Sequence, residues 1–419
     1  MTEEEQNELN EKLFCALCDE IVLMTTMCEL LEAGADIHAR NENHETLLHV
    51  ACKHLSPYWD KVRFLLEKGL GSEINAKDCN GNTPLLLACQ DCDAIEDCLK
   101  LIDAGADIHT RNDQCETLLH IAAQEGNSEM LRVLLKLGMQ DELNALDKSQ
   151  IGEAGNTPLY VAIWSREYEC ARILIEAGAN IYTRNCWGKP LLNTVAEIAC
   201  GMIMKTMLER IKQKDLNMRD KQGNTPLYAA LTVNNNECAW LLIEAGADIH
   251  AKNENSQTML HGAAAASNAE MMKFLLSNGF KDKINEKDSN GETPLHIACE
   301  EVKGYTCVRM LLDAGANPNM KTPNGLTPLH YAGWKTEHIR LLLKAGADVD
   351  ATDDYGSTAL IRAVEGVIEH HSNSYYDVMH LLLENGANIY AANKEGKTVL
   401  DFAENHPYLR SILQEWMNK

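Results

Sequence analysis

The sequence predicts an all-α solenoid, helix-turn-helix units laid side by side in a curved, elongated stack. Three observations predict it. One phrase recurs: GNTPLLLAC from Gly81, GNTPLYVAI from Gly155, GNTPLYAAL from Gly223, GETPLHIAC from Gly291 and GLTPLHYAG from Gly325, with weaker copies starting at Glu45, Glu116, Gln257, Ser357 and Lys397. The spacing is about 34 residues per copy, the size of one supersecondary unit in a repeat architecture. A second phrase follows many copies, as in LLEAGADIHARN and LIEAGADIHAKN, and sets a glycine behind an apolar stripe. Finally, 419 residues exceed one ordinary globule of about 100 to 200 residues, yet no linker-rich stretch interrupts the pattern.

Each element follows in chain order. Residues 1–40 lack the threonine-proline phrase and carry a polar first segment, so they read as an N-terminal cap. Residues 41–392 are tandem repeats. Within them Thr83, Thr157, Thr225, Thr293 and Thr327 stand before a proline and a run of helix formers. There a hydroxyl caps free amides, and proline suits a first turn. Small residues such as Ala162, Ala230 and Ala298 let this short first helix approach its neighbour. The next stripe, with Leu134 and Leu135 or Leu241 and Leu242, faces an inner core. Gly178, Gly246, Gly315 and Gly346 then fit the left-handed stop after a helix. The segment that follows is polar and turn-rich. Residues 393–419 end with a short helix near Tyr408 to Met417, a C-terminal cap.

The two phrases, T-P-L-H-x-A and L-L-x-x-G-A-D, resemble the ankyrin repeat family, and the resemblance covers nearly the whole chain in about twelve units, caps included. It implies a β-hairpin projecting beside each helix pair. It also implies that His49, His120, His261, His296 and His330, one per repeat, hydrogen-bond hairpin backbone, and that partner proteins are held by hairpin tips and the concave side of the first helices. One helix pair cannot bury its apolar face alone, so stability is shared between adjacent repeats.

A longer period lies over the first. Copies ending in G-A-D/N, at Gly34, Gly105, Gly178 and Gly246, alternate with copies carrying N-x-x-D at Asn75, Asn144, Asn217 and Asn285, which points to a duplicated two-repeat unit. The sixth repeat, Asn185 to Arg219, departs most: Pro190 replaces the capping threonine, and GMIMKTMLER replaces the leucine-rich second helix. It is expected to be the weakest interior joint.

Composition excludes several function classes. Asp and Glu outnumber Lys and Arg by 62 to 38, a formal charge of −24, which repels nucleic-acid backbones and anionic lipid. No apolar run approaches the roughly 18 residues that cross a bilayer, and the acidic start is unlike a secretory signal. The expectation is an intracellular, cytoplasmic monomer with reduced thiols, since the 15 cysteines are odd in number and sit in helical patterns. The C-x-x-C spacings at Cys15 and Cys89 lack the further ligands that zinc requires. Nucleophile-elbow, phosphate-loop and zinc-protease motifs are absent, so no catalytic residue, cofactor or metal is assigned.

Candidate partner-binding residues are the departures from the repeat. Trp164 and Trp334 both stand seven residues after the capping threonine, late on the first helix, where they either anchor a partner or pack against the next repeat. Trp187 and Tyr355 fall at hairpin tips just before glycines, and the lengthened tip KSQIGEAGN lifts Ile151 outward. Arg40, Arg111, Arg184 and Lys252 occupy one hairpin position in every second repeat, with rungs about 20 Å apart for helix spacings of ~10 Å. They either meet an acidic partner or pair with neighbouring carboxylates. The expected function is a non-enzymatic scaffold or adaptor for proteins. The alternatives are a regulatory or cryptic enzymatic role in the insertions, or architectural self-association.

Overall fold

The computed structural model describes residues 2–418, apart from 20–23, 55–59, 149–154, 186, 199 and 371–372. Twenty-four α-helices lie among the described residues and pair in chain order into twelve helix-turn-helix units. The repeat headed by Thr117 shows why the sequence folds so. Thr117 is extended (φ −96°, ψ 169°) and opens the first helix, Leu118–Gln124. The Asn127 side chain caps the second helix, Ser128–Lys136, by accepting from the Met130 amide at 3.0 Å. Leu118, Leu119, Met130, Leu131 and Leu134 are buried between the two.

Glycine ends the second helix as the sequence predicts. Gly178, Gly246, Gly315 and Gly346 have φ between +86° and +98°. In the repeat ending at Gly178, the amide of Ala179 reaches the Leu174 carbonyl at 3.0 Å and that of Gly178 reaches Ile175 at 3.1 Å, a Schellman closure. The connections beyond are hairpins too short to form strands. Among the described residues their antiparallel bridges are Arg184 to Pro190 and Thr352 to Thr358. Several neighbouring tips are tied instead by one backbone hydrogen bond, such as Cys79 N to Asn43 O at 2.9 Å and Asp354 N to Asn324 O at 3.0 Å.

The longer period is structural as well. Short 3₁₀ turns at Leu70–Glu73, Met139–Glu142, Gln213–Asp215 and Lys281–Lys283 mark every second repeat. Beside each stands one of the recurrent asparagines. The side-chain oxygens of Asn75, Asn144, Asn217 and Asn285 accept from the amides of Asp107, Asn180, Asp248 and Asn317 at 2.7–2.9 Å. After Asn285 the link recurs in consecutive repeats, through Asn319 to Asp348 and Asp350 to Asn388, both at 2.7 Å. The alternation therefore ends there.

Contacts divide the chain into two compact units, Met1–Lys212 and Gln213–Lys419, each with six helix pairs. In the first unit, Leu118–Gln124 packs on Pro158–Trp164; in the second, Pro294–Glu300 packs on Pro328–Ala332. The division falls inside the sixth repeat.

Candidate protein-binding surface

The buried polar layer is structural. In five repeats the Thr amide donates to the Nδ1 of the histidine three residues on, as from Thr46 to His49 at 3.0 Å and from Thr293 to His296 at 3.1 Å. Nδ1 is thus an acceptor, so Nε2 carries the proton. It donates across the repeat boundary to Asn82 O from His49 (3.0 Å), Asn156 O from His120 (3.1 Å) and Glu292 O from His261 (3.2 Å). His296 and His330 reach Leu326 O and Ser357 O in the same way. Burial holds all five below the ordinary imidazole range, and His296 at about 4. Where tyrosine replaces histidine the link is kept: Tyr160 accepts from Asn185 at 3.1 Å, and Tyr228 donates to Gln257 at 2.8 Å.

Candidate aromatics lie on the outside. The first unit presents Trp164, 59% exposed at the end of its helix, and Trp187, 50% exposed at a hairpin tip. Trp164 stacks on Tyr160, with centroids 6.3 Å apart. The second unit presents Trp334, 42% exposed, and Tyr355, 73% exposed. Trp334 departs from its expected place, because the first helix stops at Ala332 and Gly333 turns to φ +55°, leaving the ring in the loop. The Lys335 ammonium sits 5.6 Å from that ring's centroid. Ile151 lies outside the described residues.

The hairpin cations are exposed, and two of the four bond to backbone. Arg40 donates to Lys77 O at 3.2 Å and Arg184 to Gly188 O at 2.7 Å, while Lys252 pairs with Glu286 at 3.1 Å. Arg111 offers its own carbonyl to the Lys77 ammonium at 2.7 Å. That last bond belongs to a row the sequence reading missed. Lys77, Arg219, Lys287 and Lys321 each donate to a carbonyl of the next hairpin, at 2.6–2.9 Å. The signal was a cation two residues after Asn75, Asn217, Asn285 and Asn319, though not after Asn144, where Leu146 stands. Its target, about one repeat away, shows no distinguishing residue type.

The described cysteines are all free thiols. Burial raises Cys98 to about 12 and Cys170 to about 12, the opposite of a reactive nucleophile. Among the described residues no cluster of three His, Cys, Asp or Glu side chains could hold a metal ion, and no helix is long and apolar enough to cross a membrane.

A family model described as ankyrin repeats in three copies matches residues 18–112, 92–185, 247–322 and 307–393, and a single ankyrin repeat matches 222–254. The chain belongs to the ankyrin-repeat family. Among curated proteins it is 25% identical to E3 ubiquitin-protein ligase KEG of Arabidopsis thaliana over 74% of this chain and 21% of that protein. It is 28% identical to mouse NF-kappa-B inhibitor zeta over 56% of this chain and 37% of the relative. The mouse B-cell lymphoma 3 protein homolog is 30% identical over 46% of this chain and 44% of its own length. The matched ankyrin segments thus span less than half of these relatives. Among solved structures, the ankyrin repeat domain of Bcl-3 aligns with 24% identity and a TM-score of 0.44, covering 53% of this chain and 97% of that one. The ankyrin fold is generally an interaction fold, and the helical array described above is that fold.

Proposed function

We propose that this ankyrin array is a non-enzymatic scaffold or adaptor, acting as a monomer in the cytoplasm and gripping partner proteins with its hairpin tips and the exposed side of its first helices. The observation that carries the reading is the exposure of four large aromatic side chains where other repeats carry small or polar ones. Aromatic anchors dominate the affinity of protein interfaces, and these four stand exposed where the repeat's own pattern places no aromatic ring. The charge of −24 favours proteins over nucleic acids as partners.

The test is quantitative affinity capture with the full chain and with a variant carrying Trp164→Ala, Trp187→Ala, Trp334→Ala and Tyr355→Ala. The outcome expected is a set of proteins at least about tenfold depleted from the variant, with its helical content and melting temperature retained. Equal capture by both proteins overturns the site. Turnover by the purified chain would favour the enzymatic alternative.

A further inference from the structure

Two neighbouring repeats of the second unit are mismatched in length. Ten residues separate the capping Thr117 from Asn127, the N-cap of its second helix, but only eight separate Thr327 from Lys335. The Thr327 repeat is therefore cut short, and its first helix has five residues. The following repeat does the opposite. Its helices, Ala359–His370 and Asn373–Glu384, run to 12 residues each, against seven and nine in the Thr258 repeat.

The step between them holds a cavity of about 340 Å³. Its floor is apolar and buried, formed by Leu329, Ile339, Ala363 and Val378. One wall is the Tyr375 ring, which lies so close over Gly366 that a Cβ there would come within 2.3 Å of it. Glu365 and Glu369 stand in the lining with Arg362 and His370.

The charges do not balance. Arg362 is committed to Asp353 at 2.5 Å, and His330 is engaged through both ring nitrogens. Lys335, two residues after Gly333, donates to the carbonyls of Tyr331 and Ala332. Glu369 meets His370 at 3.9 Å, with both side chains largely in solvent. The Glu365 side chain makes no hydrogen bond or ion pair among the described residues; burial raises its carboxyl above the usual range, opposed by the Arg362 charge and reinforced by Glu369 and Asp353. An apolar floor under an unmatched carboxylate complements a side chain with an aliphatic stem and a cationic head. The volume, at the low end of the ~300–1,000 Å³ typical of ligand sites, suits one side chain rather than a cofactor.

We infer that this cavity receives a lysine or arginine side chain of the partner protein. The assignment rests on the protein-binding reading above and adds the chemistry of one contact.

The experiment is to pan a random dodecapeptide display library on the full chain and on its Glu365→Gln variant. Glutamine keeps the shape of glutamate and removes the charge, and a melting curve verifies the fold of the variant. The expected result is a class of peptides that lose about tenfold in affinity on Glu365→Gln and share one cationic position. Replacing that residue by citrulline or acetyl-lysine then abolishes the difference between the two proteins. Finding no Glu365-sensitive class, or one without a shared cation, overturns the assignment. The protein-binding reading is judged separately, by whether any selected peptide is lost from the fourfold aromatic variant.

Discussion

At the residue scale, the histidines set how the protein answers acid. Burial lowers the five cross-repeat imidazoles and holds His338 at about 4. An unfolded histidine titrates near 6.5, so below that pH the unfolded chain binds protons that the folded chain refuses. Stability is therefore full above about pH 6.5 and is lost as pH falls toward about 4. His338 differs from the others because its Nε2 is buried with no hydrogen-bond partner among the described residues. Equivalent positions on other second helices carry Met130, Cys170, Cys238, Met271 and Cys307. Replacing His338 by methionine is expected to add about 1 kcal/mol at pH 7 by removing the unsatisfied nitrogen. The gain should grow between pH 6.5 and 4, measured as urea midpoints at each pH. A variant less stable than the parent at pH 7, or a gain that shrinks on acidification, would contradict this account.

At the scale of elements, the sixth repeat is the outlier. Its first helix, Leu191–Ile198, starts directly after Pro190, whose ring has no capping oxygen, and Thr194 keeps a buried hydroxyl with no partner among the described residues. Restoring the repeat phrase with Pro190→Thr and Asn193→His supplies the cap and the cross-repeat imidazole, worth about 1 kcal/mol for the cap alone. Amide exchange in helices 191–198 and 201–208 is expected to be the fastest among interior repeats and to slow several-fold in the double variant. Uniform protection in the parent would sink the expectation. That outlier was legible because Pro190 breaks a phrase repeated around it. The helix pairs were legible for the same reason: threonine, proline and glycine act locally, each on its own turn. The step beside Gly333 was not, since a missing pair of residues shows its effect only against the lengthened helix Ala359–His370. The hidden use of Lys77 and Arg219 has a similar origin, because a carbonyl acceptor leaves no mark in sequence.

At the scale of the whole molecule, charge is the dominant feature that packing does not explain. Sixty-two acidic side chains face 38 basic ones, and several of the basic ones are spent on backbone carbonyls rather than carboxylates. The remaining ion pairs are mostly exposed, as between Arg63 and Glu67 or Lys12 and Glu8, and such pairs contribute at most about 1 kcal/mol each. Folding gathers the excess negative charge and raises its self-repulsion, which salt screens over a Debye length of about 10 Å at 0.1 M. Raising sodium chloride from about 0.02 to 0.3 M should therefore increase the melting temperature by a few degrees, because repulsion is long-ranged and the individual pairs are weak. The same titration should slow association with a cationic partner, since steering by the acidic field is screened by the same ions. Differential scanning calorimetry checks the first effect and stopped-flow fluorescence of the exposed tryptophans the second. A melting temperature that falls with salt would mean that the attractive pairs outweigh the excess charge, and the acidic surface would then have to be understood as a network rather than a field.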